Sequence, residues 1–220
     1  MKKILICNFP KYELEKGNKR KKHIKIKVMH ISEFNSLIRN RRSIFPNMYT
    51  GERVDDQVIQ QMLENARWAP THKHTNPWRF CVFTLDGLQK LADFQSQLYK
   101  SISTQAGNFL ESKFEMLKTK PLLASHIISI GMRRDPAERL PEIEEVEAVA
   151  CAVQNMYLTA SAYGVGCYWG SGGITYVESA KDFFGLEAKD KLLGFLYIGV
   201  PKKIPEGRRE SMDDKVKWIR

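Results

Sequence analysis

The chain has 220 residues, 43% of them hydrophobic and 10% aromatic, with a net charge of +10. That length can bury the core of one large domain or two small ones, and no apolar run reaches the roughly 18–20 residues of a membrane helix. Residues 1–28 carry ten Lys/Arg against Glu13 and Glu15, so +8 lies there and the other 192 residues hold +2, which disfavours a nucleic-acid or membrane-binding face on the body of the protein.

That basic segment comes first in the chain. Met1-Lys-Lys is followed by too short an apolar core for a secretory leader. GNKRKKHIKIK (17–27) has little apolar surface to bury, which predicts a disordered extension over 1–28 ahead of a folded domain over 29–220. Ser32 is placed to cap a helix carrying Phe34, Leu37 and Ile38 that ends at NRRS (40–43), and PNMYTG (46–51) reads as a loop. Asp55 is placed to cap a second helix with Val58, Ile59, Met62, Leu63 and Ala66 on one face, ending before Pro70. WRFCVFTL (78–85) reads as a buried strand, followed by a helix through Leu88, Leu91, Phe94 and Leu98 and another over about 107–118.

SHIISIGM (125–132) is the next strand and RRDPAERLP (133–141) a loop. The longest helix is expected over 143–163, with Gly164 as its left-handed stop. A short strand at 167–169 runs into GSGG (170–173), then come a helix near 177–184 and a strand over 192–200. Strands and helices do not alternate regularly and nothing repeats, so the order favours a single α+β domain. The four cysteines (7, 81, 151 and 167) lack the spacing of a zinc ribbon or a disulfide framework, which predicts buried free thiols in a reducing cytoplasm.

Four stretches carry chemistry. NRRS puts two guanidiniums and a hydroxyl at a helix end, where they suit phosphate oxygens or simply offset the helix dipole. WAPTHKHTNPW (68–78) joins helix to strand through many hydrogen-bonding groups. Its His72 and His74 lack a third metal ligand, so no metal site is expected. WGSGG (169–173) exposes backbone N–H groups to an anion or a ring edge, or is only a turn, and it is not a dinucleotide fingerprint. GRR (207–209) is a second phosphate clamp or a solvated pair. No nucleophile motif is present, so no protein group is assigned a catalytic role.

Taken in this order, RRS after the first helix, A-P…N-P-W-R-F into a strand, E-x-x-A-x-A-x-A-V-Q-N, then G-V-G-C-Y-W-G-S-G-G and the closing F-F-G-L…D-K-L-L-G-F-L-Y-I-G-V-P resemble the FMN-dependent nitroreductase superfamily over about residues 30–218. APTHK with W-x-S-G is most similar to small bacterial NAD(P)H nitroreductases. The resemblance implies a central mixed or antiparallel sheet surrounded by helices. It also implies a cytoplasmic homodimer whose extended termini embrace the partner, with FMN at the interface.

On the same basis Arg41, Arg42 and Ser43 would hold the flavin phosphate and ribityl chain. Trp169, Gly170 and Ser171 would line the ring, and Arg209 would return to the phosphate. His72, offered to the other subunit, would contact its cofactor, as would Trp68, which stands where relatives can carry arginine. The implied activity is ping-pong hydride transfer from NADH or NADPH, through FMN, to a nitroaromatic, quinone-like or related small-molecule acceptor. The alternative is a flavin-free interaction protein whose basic arm binds nucleic acid or acidic partners.

Overall fold

The computed structural model describes residues 30–220, so the basic extension and its boundary with the folded domain lie outside the described residues. Four strands make one antiparallel sheet: β1 (Trp78–Thr84), β2 (His126–Met132), β3 (Gly166–Gly170) and β4 (Lys191–Gly199), in the order β1-β2-β4-β3. Every residue of β2 is buried because both faces of the sheet are covered. Ile128, Ile130 and Met132 face helices α2 (Asp56–Ala66) and α5 (Glu142–Ala162), whereas Ile127 faces the side where α3 (Asp86–Gln105) packs. A strand covered on both faces has no polar side to alternate with, which is why it reads as a continuous apolar run. β1 pairs only with β2 and is half-buried, so the buried strand expected at 78–85 is an edge strand.

Helix α2 begins where Asp55 accepts a hydrogen bond from the Gln57 N–H at 2.8 Å, as the sequence suggests. Three glutamates in the first turn of α5 suit the positive end of its dipole. Gly164 (φ +70°) ends it, with Val165 N–H returning to the Ala160 carbonyl at 2.8 Å. The two helices are pinned together by Asn65 Nδ2 donating to Thr159 Oγ1 at 2.8 Å and Asn155 Nδ2 donating to the Asn65 carbonyl at 3.0 Å.

Several expectations are corrected. The first helix, α1 (Ile31–Asn40), starts at His30, whose carbonyl accepts from Glu33 and Phe34, so Ser32 lies inside it and caps nothing. The helix after α3 is α4 (Glu111–Thr119), because Gly107 at φ +68° turns the chain first. Residues Glu178–Phe184 form a 3-10 rather than an α-helix, stopped by Gly185 at φ +66°. So short a run cannot distinguish periods of 3 and 3.6. Cys167 is buried and Cys81 half-buried, but Cys151 is exposed on α5; all three are free thiols. Helix α1 buries no residue and leaves Ile31, Phe34 and Ile38 exposed. No helix among the described residues is long and apolar enough to cross a membrane.

Candidate functional site

A polar cluster forms on the C-terminal half of α5, around Tyr157. The segment after α1 lies along β3: Ser43 bridges Cys167 in parallel, and Ile44 N–H donates to the Cys167 carbonyl at 2.8 Å. This brings Ser43 to Tyr157, whose phenol oxygen also accepts the Trp169 N–H at 2.6 Å. The Arg41 guanidinium sits 5.1 Å over the Tyr157 ring. Burial pushes the Tyr157 pKa up, with Ser43, Trp169 and Arg41 pulling the other way, so the phenol stays neutral at physiological pH.

Trp169 is fixed at both ends. Its indole N–H donates to the Leu193 carbonyl at 2.9 Å, and its ring packs against the α2–α5 core. Leu193 is available because the β2–β4 register slips between Ile130 and Gly131, leaving Leu193 unpaired. Gly194 follows at φ +124°, and a Cβ there would run into the Gly170 carbonyl and lie 2.8 Å from Trp169 Nε1. Only glycine fits both the conformation and the space. Beyond Trp169 the chain turns through Gly170–Gly173. A Cβ at Gly170 would lie 2.9 Å from the Tyr168 ring, and the N–H groups of Gly172 and Gly173 have no acceptor among the described residues.

Arg42 does something its position in sequence does not reveal. It donates to the Pro205 carbonyl at 3.2 Å, as well as to Arg39 and Arg41, and its guanidinium lies against Gly207, where a Cβ would displace it. It therefore holds the C-terminal tail. Arg209, exposed and two residues further on, is brought within about 7 Å of Gly207. Neither Arg41 nor Arg42 forms an ion pair among the described residues, and a cleft between them is lined by Tyr157, Ser161, Pro201 and Ile204. Guanidiniums without carboxylates, a hydroxyl and a glycine-rich turn are a donor set that fits a phosphate-bearing ligand with a flat ring.

The WAPTHKHTNPW loop lies elsewhere. Lys73, His74 and Asn76 all have positive φ (49°, 53° and 45°), a conformation uncommon outside glycine and eased only at Asn76. Thr71 Oγ1 accepts from Asn76 N–H at 3.2 Å, Lys73 Nζ donates to the Arg139 carbonyl at 2.7 Å, and His72 Nδ1 lies 2.5 Å from Glu144 Oε2. Trp68 is 73% exposed, its indole donating to Glu64 at 3.0 Å. Glu144 and Tyr157 are thirteen residues apart on one helix, hence about 20 Å.

The structure thus links Arg41, Ser43 and Trp169 through Tyr157, with Gly170 and Ser171 following Trp169 in the chain and Arg42 next to Arg41; Arg209 is exposed, and among the described residues its side chain bonds only the Arg208 carbonyl. It does not bring Trp68 or His72 to them within one chain. Tyr157, which holds the cluster together, belongs to no motif in the sequence; its hydroxyl within the long helix is the only signal.

Residues 38–200 match the model of the nitroreductase family. YdjA of Escherichia coli (strain K12) is 30% identical over 169 residues, covering 76% of this chain and 87% of its own. YfhC of Bacillus subtilis (strain 168) is 28% identical over 181 residues, covering 82% and 90%. Both carry provisional names as NAD(P)H nitroreductases. A solved nitroreductase-like family protein from Bacillus cereus superposes with a TM-score of 0.72 at 28% identity, over 88% of this chain and 98% of that one. A Desulfovibrio desulfuricans structure described as a nitroreductase in complex with FMN shares the fold, with a TM-score of 0.65 at 24% identity, over 84% and 96%.

Proposed function

The chain belongs to the nitroreductase family, and we propose that it is an FMN-dependent NAD(P)H oxidoreductase that reduces nitroaromatic, quinone-like or related small molecules. The observation that carries this reading is the cluster of Arg41, Ser43, Tyr157 and Trp169, in which the Arg41 guanidinium has no ion pair among the described residues. When bound, the flavin takes a hydride from the nicotinamide and passes it to the acceptor in a ping-pong cycle.

The residues supply position and electrostatics. Arg41, Arg42 and Arg209 neutralise the cofactor phosphate, and Ser43 meets the ribityl chain. Tyr157 and the Leu193 carbonyl fix Trp169, and with it the start of the Gly170–Ser171 stretch that lines the ring. His72 and Trp68 serve the site of a second copy. The roughly 20 Å between the two ends of α5 and the uncovered apolar residues of α1 both support a homodimer. The flavin-free alternative rests on residues 1–28, outside the described residues.

The purified protein is expected to be yellow, with flavin absorbance that bleaches on anaerobic addition of NADH or NADPH and returns with an acceptor. Arg41→Ala is expected to weaken FMN retention by about 1.5–3 kcal/mol. A colourless protein that cannot be reconstituted with FMN overturns the reading.

A further inference from the structure

Tyr168 and Trp169 point to opposite faces of β3. Trp169 packs against the α2–α5 core, and Tyr168 against the other core. On the Tyr168 side, Lys120 opens the 3-10 segment Lys120–Leu123 that follows α4, and its side chain is half-buried. Its ammonium sits 5.0 Å from the ring centroids of both Tyr168 and Tyr197. Among the described residues it has no ion pair and no hydrogen-bond acceptor.

Burial pulls its pKa down. A cavity of about 90 Å³ opens beside it, walled by Phe195, Tyr197, Tyr168 and Met116 and floored by Gly170, Gly172 and Gly173. A Cβ on Gly172 would meet nothing within 4 Å, so the space above the turn is open, and the free N–H groups of Gly172 and Gly173 belong to the same turn.

We propose that this cavity is a subsite for small aromatic carboxylates, with the Lys120 ammonium and the Gly172 and Gly173 N–H groups taking the carboxylate and the tyrosine and phenylalanine faces taking the ring. One cation and two neutral donors match a monoanion. Flat aromatic walls match a ring. The turn that floors it is the continuation of the Trp169–Gly170–Ser171 stretch assigned to the flavin, so an acid held here lies next to the reducing centre. The assignment rests on the oxidoreductase reading for its biological sense, and on the cavity alone for its chemistry.

The test is calorimetric titration of the FMN-loaded protein, without reductant, with 4-nitrobenzoate and with neutral 4-nitrobenzyl alcohol. The acid is expected to bind at least tenfold more tightly than the alcohol. Lys120→Met, which keeps the apolar stem, is expected to abolish that preference, and Lys120→Arg to restore part of it. FMN content and near-ultraviolet circular dichroism are read on each variant. Equal binding of the two compounds by the parent, or a preference that survives in Lys120→Met, overturns the subsite. Loss of FMN from a folded Lys120→Met also overturns it, because the cavity would then belong to the cofactor. A parent protein that takes no FMN sinks the oxidoreductase reading instead, and the same titration of the flavin-free protein still decides the subsite.

Discussion

The two ends of α5 are built on different principles. At the Tyr157 end every important group is held by the chain itself: Tyr157 by Trp169 and Ser43, Trp169 by Leu193, and Ser43 by its bridge to Cys167. At the Glu144 end the loop keeps three non-glycine residues at positive φ, with His72 and Trp68 turned largely to solvent. Backbone strain of order 1–3 kcal/mol per residue persists only where surroundings enforce it or function uses it. One end is a cluster locked by its own backbone, and the other is an exposed loop held to α5 and the segment before it, among the described residues, only through His72 on Glu144 and Lys73 on the Arg139 carbonyl.

The sharpest way to break the finished end is Gly194→Ala. The new Cβ must collide with the Gly170 carbonyl and crowd the Trp169 indole at a φ that alanine avoids. A loss of about 3 kcal/mol in chemical denaturation is expected, with weakened FMN retention. A loss below about 1 kcal/mol would mean that the bulge relaxes without moving Trp169. Tyr157→Phe is expected to cost about 1–3 kcal/mol by leaving the half-buried Trp169 N–H without its acceptor. If it costs nothing, the cluster does not depend on that hydroxyl.

A pH dependence separates the sheet from the loop. His126, buried at the start of β2, places Nε2 2.8 Å from Asp56 Oδ1 and Nδ1 2.9 Å from Ser125 Oγ, with Arg53 also bonded to Asp56. Burial pulls its pKa below the ordinary 6.5, partly opposed by Asp56. The unfolded chain therefore takes up the proton more readily. This contribution to stability is present above about pH 6.5 and is lost as pH falls towards the folded value. Denaturation midpoints measured from pH 7 to 5 are expected to fall, and less steeply in His126→Gln.

The smallest effect on stability is expected at the projecting end. His72→Ala removes one exposed contact to Glu144, so the change should stay within about 0.5 kcal/mol. It should nevertheless weaken FMN binding and the coupling of FMN to dimerisation. Sedimentation with and without FMN checks this: a monomer of the parent that binds FMN at full affinity sinks the shared site.

Periodicity was enough to place the core elements. β2, β4 and α5 read correctly because apolar runs and a terminal glycine report burial and chain reversal directly. What stayed hidden depended on partners far away in sequence. The Leu193 bulge makes sense only once Trp169 needs a carbonyl, and Arg42's bond to Pro205 spans 163 residues. The positive φ of Lys73 and His74 had no glycine to announce it. Cys151, expected to be buried, is exposed because an Ala-rich stretch of helix does not show which of its faces meets the core, and a lone lysine before a proline, such as Lys120, carries no pattern at all.

Because α5 carries a half-site at one end and a projecting loop support at the other, it also sets their angular phase. One residue inserted between Glu144 and Tyr157 would advance the far end by about 1.5 Å but rotate it by roughly 100°. The loop would then face a different quarter of the molecule, while the half-site, tied to β3 by Ser43 and Trp169, could not turn to follow it. Seven inserted residues, close to two full turns, would nearly restore the heading at the cost of about 10 Å of reach. The two ends keep their relative heading only where the shaft between them changes by close to whole turns.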